Sequence, residues 1–196
     1  MLMVASESVE RMRVLVACEF SGKVRDAFRA RGHDAYSCDI LPASPSSDRH
    51  HTMDLFALLE LDSQWDLIIA HPPCTALCVS GNRHYAGTEA RSQAVKFVEA
   101  IWNLNCEKMA VENPVGVLNS FSKILPKPYY IQPWQFGHGE TKKTGIWSRG
   151  LPQLIPTNVV EGREARIHKM PPSQDRGLLR SITYDGIAKA MAEQWG

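Results

Sequence analysis

Asp66-Leu67-Ile68-Ile69-Ala70-His71-Pro72-Pro73-Cys74-Thr75 is the stretch that decides the fold. Leu67 to Ala70 is an apolar run of strand type, and two prolines stop it. Proline lacks the N–H of a ladder bond and fixes φ, so the strand ends here and Cys74 sits on a shaped loop. In an open α/β sheet, ligands bind outside the carboxyl ends of the strands. Met109-Ala110-Val111-Glu112-Asn113-Pro114 repeats the design, an apolar run closed by a carboxylate, an amide and a proline. A thiol and a carboxylate at two strand ends form a candidate nucleophile and acid pair.

Working outward, Arg13 to Cys18 reads as a buried strand and Glu19-Phe20-Ser21-Gly22 as the turn after it. Lys23 to Arg31 has helical spacing, closed by Gly32. Asp34 to Ile40 is a second short strand ending in Asp39, which completes a βαβ unit. Residues 42–51 read as a polar surface loop, 54–61 as a short helix and 78–87 as irregular. Arg91 to Asn105 reads as helix and Lys108 to Glu112 as strand. A helical turn at 121–125 and a strand at 130–134 follow. Residues 136–145 read as a polar loop, with a strand resuming at 145–147. The stretch 150–184 is irregular. The tail 185–195 has helical spacing, with Asp185 as a candidate N-cap. Strands alternating with helices predict an α/β, Rossmann-like fold, a single mostly parallel sheet flanked by helices. The expected organisation is a flexible leader over 1–11 and one domain over 12–196.

The bulk composition is that of an ordinary globular chain, with 44% hydrophobic and 22% charged residues and a formal net charge of +1. No strong basic balance announces nucleic acid, although local patches remain compatible with it. The five cysteines, an odd count, and the lack of a secretory leader predict reduced thiols in the cytoplasm. No apolar stretch approaches the ~20 residues that span a bilayer. Cys74 and Cys78 have metal-pair spacing, but no matched second pair appears, so no metal is expected.

Candidate functional residues cluster at the predicted strand ends. Phe20, Ser21 and Gly22 occupy the first βα turn, where a glycine allows close approach of a ligand. Asp39 follows about 20 positions later, the place of an acid that binds a ribose diol. Structural roles compete with each reading: an ordinary turn, a helix cap, a buried thiol. The double proline favours function for Cys74, because packing does not call for it. Lys142 and Lys143 make the 137–145 loop basic and suited to phosphate, with a solvated hairpin tip as the alternative.

Taken together, Phe20 and Gly22, Asp39, Pro73 with Cys74, and Glu112 with Asn113 resemble the 5-methylcytosine-forming DNA methyltransferases. The motifs lie within about residues 13–118, and 186–192 is similar to the family's closing helix. The whole chain looks most like short members of phages and prophages. Thr75 stands where the family has glutamine, and Pro114 where it has valine. The Gln-x-Arg-x-Arg stretch is missing, with Lys142, Lys143 and Arg149 as candidate substitutes. A large target recognition domain is also missing, leaving 150–184 as a reduced recognition segment.

The resemblance implies an S-adenosylmethionine-dependent enzyme of the bacterial or phage-infected cytoplasm. Phe20, Ser21, Gly22, Asp39, Asp54 and Pro72 would contact the cofactor. Cys74 would attack cytosine carbon 6 and Glu112 would engage ring nitrogen 3. Asn113 and Pro73 would support the loop. The implied partner is DNA, single- or double-stranded, or else a free pyrimidine nucleotide, with no membrane. Two further alternatives are an amino-methyltransferase, which needs no thiol, and a catalytically degenerate cofactor- or DNA-binding protein acting against host restriction.

Overall fold

A computed structural model describes residues 10–196. The expected leader lies mostly outside the described residues. Seven strands form one sheet in the order β3-β2-β1-β4-β5-β7-β6. Its first βαβ unit is β1 (Arg13–Ala17), α1 (Lys23–Ala30) and β2 (Asp34–Asp39). A short edge strand, β3 (His50–Thr52), takes up two histidines expected in a loop. α2 (Leu55–Leu61) follows, then β4 (Leu67–Ala70). After the proline loop come a one-turn helix α3 (Asn82–Tyr85), the long α4 (Glu89–Trp102) and β5 (Lys108–Pro114). A one-turn helix α5 (Leu118–Phe121) lies just ahead of the helical turn expected at 121–125. β6 (Tyr129–Ile131) and β7 (Thr144–Arg149) complete the sheet. Three helices close the chain: α6 (Arg166–Lys169), α7 (Arg176–Ser181) and α8 (Asp185–Trp195).

The sheet is mixed, which corrects the expectation of a mostly parallel one. β1 pairs in parallel with β2 and β4, and β4 with β5, but β7 runs antiparallel to both β5 and β6. The physical reason lies in the connections. A parallel return needs a crossover of a dozen or more residues, usually helical. The connection between β6 and β7 is long enough but holds no crossover helix, just a 3₁₀ turn at Pro133–Gln135, and β7 comes back antiparallel.

Both faces of the sheet are covered, which explains the unbroken apolar runs in the central strands. Val14 and Val16 point to the side of Val24, Phe28, Ile187 and Met191, from α1 and α8. Leu15 and Ala17 point to the side of Leu55, Leu58, Val98 and Ile101, from α2 and α4. Asp185 does not cap α8. Tyr184 is the N-cap, and Asp185 lies in the first turn, paired with Lys23 at 2.8 Å.

The strand order sets the place of a site. The chain runs from β1 outward to β3, then returns to β4 beside β1 and continues to the other side. The β1/β4 boundary is therefore the topological switch point, where open sheets leave a crevice.

Arg149 corrects a sequence expectation. It ends antiparallel β7 opposite Met109, at the end of the sheet away from Glu112. Its guanidinium donates to the Trp102, Leu104 and Cys106 carbonyls at the C-terminal end of α4. It is a helix cap, remote from the predicted site. Arg149→Ala should lower stability by about 2–3 kcal/mol, the worth of charge-assisted bonds to carbonyls left unsatisfied. Urea unfolding measures this, with ligand binding by the folded variant unchanged.

Candidate active site

Three strand ends meet at the switch point. Cys18 to Ser21 follow β1, His71 to Cys74 follow β4, and Glu112 to Pro114 end β5. Together with Lys142, Arg180, Ser181 and Thr183 they line a cleft enclosing about 510 Å³, part of it open to solvent.

The proline loop is tied on several sides. The His71 N–H still bonds to the Ala17 carbonyl at 2.9 Å. Pro72 offers only a carbonyl, and the Asn113 amide nitrogen donates to it at 2.9 Å. Beyond Cys74 the chain makes one helical turn, with the Cys78 N–H on the Cys74 carbonyl at 2.9 Å. Arg91 holds the Ala76 carbonyl at 2.9 Å. The Leu77 carbonyl accepts from Val117, and a Cβ on Gly116 would stand 2.0 Å from that oxygen. Glycine is required at 116 by this close approach.

Glu112 and His71 form a buried pair, with His71 Nδ1 2.8 Å from Glu112 Oε2. Burial alone would raise the Glu112 carboxyl. The His71 hydrogen bond, with Lys142 nearby, outweighs it and holds the carboxyl below its usual range. Burial opposes the charged form of His71, but the bond and charge of Glu112, with Glu19 behind it, raise its pKa above the ordinary value. Glu19 is itself buried. Its carboxylate accepts the Val24 and Arg25 N–H groups at 2.7 and 3.2 Å, satisfying the N-terminus of α1. Burial nevertheless pushes its carboxyl upward.

Cys74 is half-buried and faces Cys78. A hydrogen bond from its S–H to the Cys78 sulfur, then burial, then the charges of Cys78 and Glu112, raise the Cys74 thiol far above its ordinary range. The same bond lowers Cys78 to about 5, helped by the Ser80 hydroxyl, whose oxygen is 3.1 Å away, and by Arg180.

The other predicted residues have separate fates. Phe20, Ser21, Pro72, Pro73, Asn113 and Lys142 line the cleft. Gly22 has φ +68, but the space a Cβ would take is filled by the Arg25 guanidinium, 2.2 Å from that point. Asp39 ends β2 and accepts the Leu41 N–H at 2.9 Å. Asp54 caps α2, accepting from Phe56 and Ala57 at 2.9 and 3.1 Å. The Lys143 ammonium lies 4.5 Å over the Tyr130 ring, away from the cleft lining. Sequence reasoning missed His71, Glu19 and Cys78 as partners, and Arg180 as a lining residue. The first two carry a legible signal: each polar residue stands directly at a strand end of the switch point. Arg180 belongs to the basic C-terminal third of the sequence, but no local pattern marks it out from the other arginines there. Among the described residues no group of three or more His, Cys, Asp or Glu is arranged to hold a metal, and no helix is long and apolar enough to cross a membrane.

No protein-family model matches this sequence, and no curated protein matches it. Solved structures do. One is a protein described as a candidate DNA modification methyltransferase encoded within an E. coli prophage, with 15% identity and a TM-score of 0.53 over 76% of this chain and 52% of that one. Another is the Entamoeba histolytica methyltransferase EhMeth, with 13% identity and a TM-score of 0.50 over 81% of this chain and 59% of that one. At these identities the likeness is one of fold: the sheet and its flanking helices share the architecture of these two structures. The chain spans between half and three fifths of the length of these structures.

The thiol pair yields a test. In the wild type, iodoacetamide near neutral pH should modify Cys78 before Cys74. Cys78→Ala removes the hydrogen bond and charge that raise Cys74, so Cys74 should then react about tenfold faster or more, one pKa unit of thiolate per decade. Peptide mass mapping across pH 5–9 reads both rates. Equal rates for Cys74 in the two proteins would contradict the pairing.

Proposed function

We propose that the chain transfers a methyl group to carbon 5 of cytosine in DNA, with S-adenosylmethionine as donor and a transient thioether at Cys74. The observation that carries this reading is the meeting of Cys74 and Glu112, from adjacent strand ends, in one cleft that also includes Phe20 and Ser21. The fold it shares with a protein described as a DNA modification methyltransferase supports it.

The residues fit the cofactor in part. Phe20, Ser21 and Pro72 would hold it from the cleft wall, with Asp39 at the end of the neighbouring strand. Gly22 offers no cradle, since Arg25 occupies it. When bound, S-adenosylmethionine supplies an electrophilic methyl group to carbon 5.

The chain's own residues account for the rest. Cys74 passes its S–H proton to the Cys78 thiolate and attacks carbon 6, forming the C–S bond. Glu112 engages ring nitrogen 3 and draws charge from the ring, which makes carbon 5 nucleophilic. After methylation the carbon-5 proton goes to a base. The C–S bond then breaks, and Cys74 recovers its proton from Cys78. Asn113 keeps the Pro72-Pro73-Cys74 loop at the height of Glu112. A base in a duplex must be flipped out to reach this depth, at roughly a few kcal/mol. Lys142 and Arg180, at the cleft, would meet its phosphates, and the 150–184 segment would serve as a reduced recognition element.

A second reading, a cofactor- or DNA-binding protein without catalysis, is favoured by the Arg25 side chain in the glycine space and by the high pKa of Cys74. The deciding experiment mixes the protein with S-adenosylmethionine and DNA containing 5-fluorocytosine. Fluorine at carbon 5 blocks the final proton removal, so a covalent protein–DNA adduct should appear by mass spectrometry and vanish in Cys74→Ala. Parallel assays with dCMP, single strands and duplexes identify the acceptor. Failure of S-adenosylmethionine to bind in calorimetry would overturn the methyl-transfer reading; binding without any methylated acceptor would favour the second.

A further inference from the structure

The reaction above leaves one buried titratable group at the cleft without a task. Glu19 is explained by the α1 N-terminus, but His71 is not. Its side chain is 8% exposed and that of Glu112 is 13% exposed. Its backbone N–H is fixed to Ala17 and its Nδ1 to Glu112, so the ring cannot swing away. Its Nε2 is buried with no partner. The charged groups that face the pair are Glu19 from the β1–α1 turn, itself beside Arg25, and Lys142 from the loop before β7. Thr144 of β7, whose hydroxyl donates to the Lys142 carbonyl at 3.0 Å, and Cys74 of the proline loop lie nearby.

With one proton between Nδ1 and Oε2, a second can sit in either of two places. On Nε2 it makes an imidazolium–carboxylate pair, and that N–H finds no acceptor. On the other carboxyl oxygen it makes an imidazole–carboxylic acid pair, whose O–H needs an acceptor from outside. Ring nitrogen 3 of cytosine is such an acceptor, whereas a carboxylate would only repel its lone pair. A buried donor without a partner costs about 1–3 kcal/mol, and a substrate acceptor removes that cost from one arrangement only.

We infer that His71 is a positioning residue that stores the proton Glu112 presents to the pyrimidine ring, an inference that rests on the methyl-transfer reading. When the base enters, the Nε2–H bond breaks and a carboxyl O–H bond forms by exchange with water of the open cleft. The Nδ1–H···Oε2 bond persists and the net charge of the pair is unchanged. Glu112 can thus act as an acid at neutral pH although its own carboxyl is held low. The working form is lost on the alkaline side, as the pair gives up its second proton.

Proton NMR of the full chain tests the storage directly. The His71 ring signal, assigned by its loss in His71→Gln, should titrate above the ordinary 6.5. Glu112→Gln removes the partner charge and leaves burial, so the midpoint should fall by at least one unit. A wild-type midpoint at or below 6.5, or one unmoved by Glu112→Gln, overturns the inference. The second measurement is the pH profile of methyl transfer. His71→Gln keeps an N–H toward Glu112 but holds no proton, so kcat should drop. The alkaline limb should move to lower pH, with the KM for DNA changed less than about twofold. An unmoved limb also overturns it. Methyl transfer with an ordinary His71 titration defeats this inference alone. If no acceptor is methylated, the methyl-transfer reading fails and this inference fails with it, even where the titration is as expected.

Discussion

The hydrogen bond from the Asn113 amide to the Pro72 carbonyl is the contact on which the cleft depends. Pro72 and Pro73 cannot continue the β4 ladder, so the chain must leave the sheet within two residues of Ala70. A segment leaving a sheet without ladder bonds has no inherent height or direction. The neighbouring strand supplies both: β5 runs in register with β4, Ala70 opposite Val111, so Asn113 stands at the level where Pro72 needs a donor. That one bond couples the position of the thiol to the position of Glu112, one residue before Asn113. The amide oxygen of Asn113 is buried with no partner, so the side chain has one committed end and one end free.

The floor of the cleft is a buried set of charges, and burial alone would make each of them expensive. Glu19 is satisfied by backbone N–H groups, and Glu112 and His71 by one another. Lys142 reaches in from the loop before β7, and its ammonium donates to the Arg180 carbonyl at 2.9 Å. The same side chain therefore balances the carboxylate and ties α7 over the cleft. The C-terminal segment is bound to the sheet's loop region by further polar contacts. Tyr184 donates to Glu140 at 2.7 Å, Arg166 bonds to the other oxygen of that carboxylate, and the Gly186 N–H bonds to His138 at 3.0 Å. Gly186 is indispensable here, because a Cβ would lie 1.8 Å from the Phe136 carbonyl.

Much of the fold was legible because buried strands announce themselves. Arg13–Ala17, Leu67–Ala70 and Lys108–Pro114 are apolar runs with polar or proline stops, and the helices between them carry clear periodicity. What escaped the sequence was decided by partners distant along the chain. The direction of β7 depends on a looped return rather than on any residue within the strand. Arg149 resembles a phosphate-binding arginine until the end of α4 is seen beneath it. The resemblance puts Asp54 among the cofactor contacts, whereas its hydrogen bonds are those of a helix cap. At the site, Cys74, Glu112 and Asn113 were legible from strand-end chemistry. The His71–Glu112 bond joins residues 41 apart, which no local pattern reveals.

The thiol pair shows why a nucleophile cannot be read from residue type alone. A lone cysteine on a loop would have an ordinary pKa, and its reactivity would follow exposure. Cys74 instead lies one helical turn from Cys78, and the contact between the two thiols raises Cys74 and lowers Cys78, with Ser80 and Arg180 adding to the latter. A low pKa makes a thiolate abundant but less nucleophilic, whereas a high pKa makes it scarce and strong. In the proposed reaction, dividing the two properties between neighbouring thiols would keep Cys74 protonated until its proton is drawn to Cys78. The same division appears at the other wall of the cleft, where a low carboxyl is paired with a raised imidazole. Both walls hold a movable proton one bond away from the group that would use it, and both arise from the strand ends that the double proline and Asn113 align.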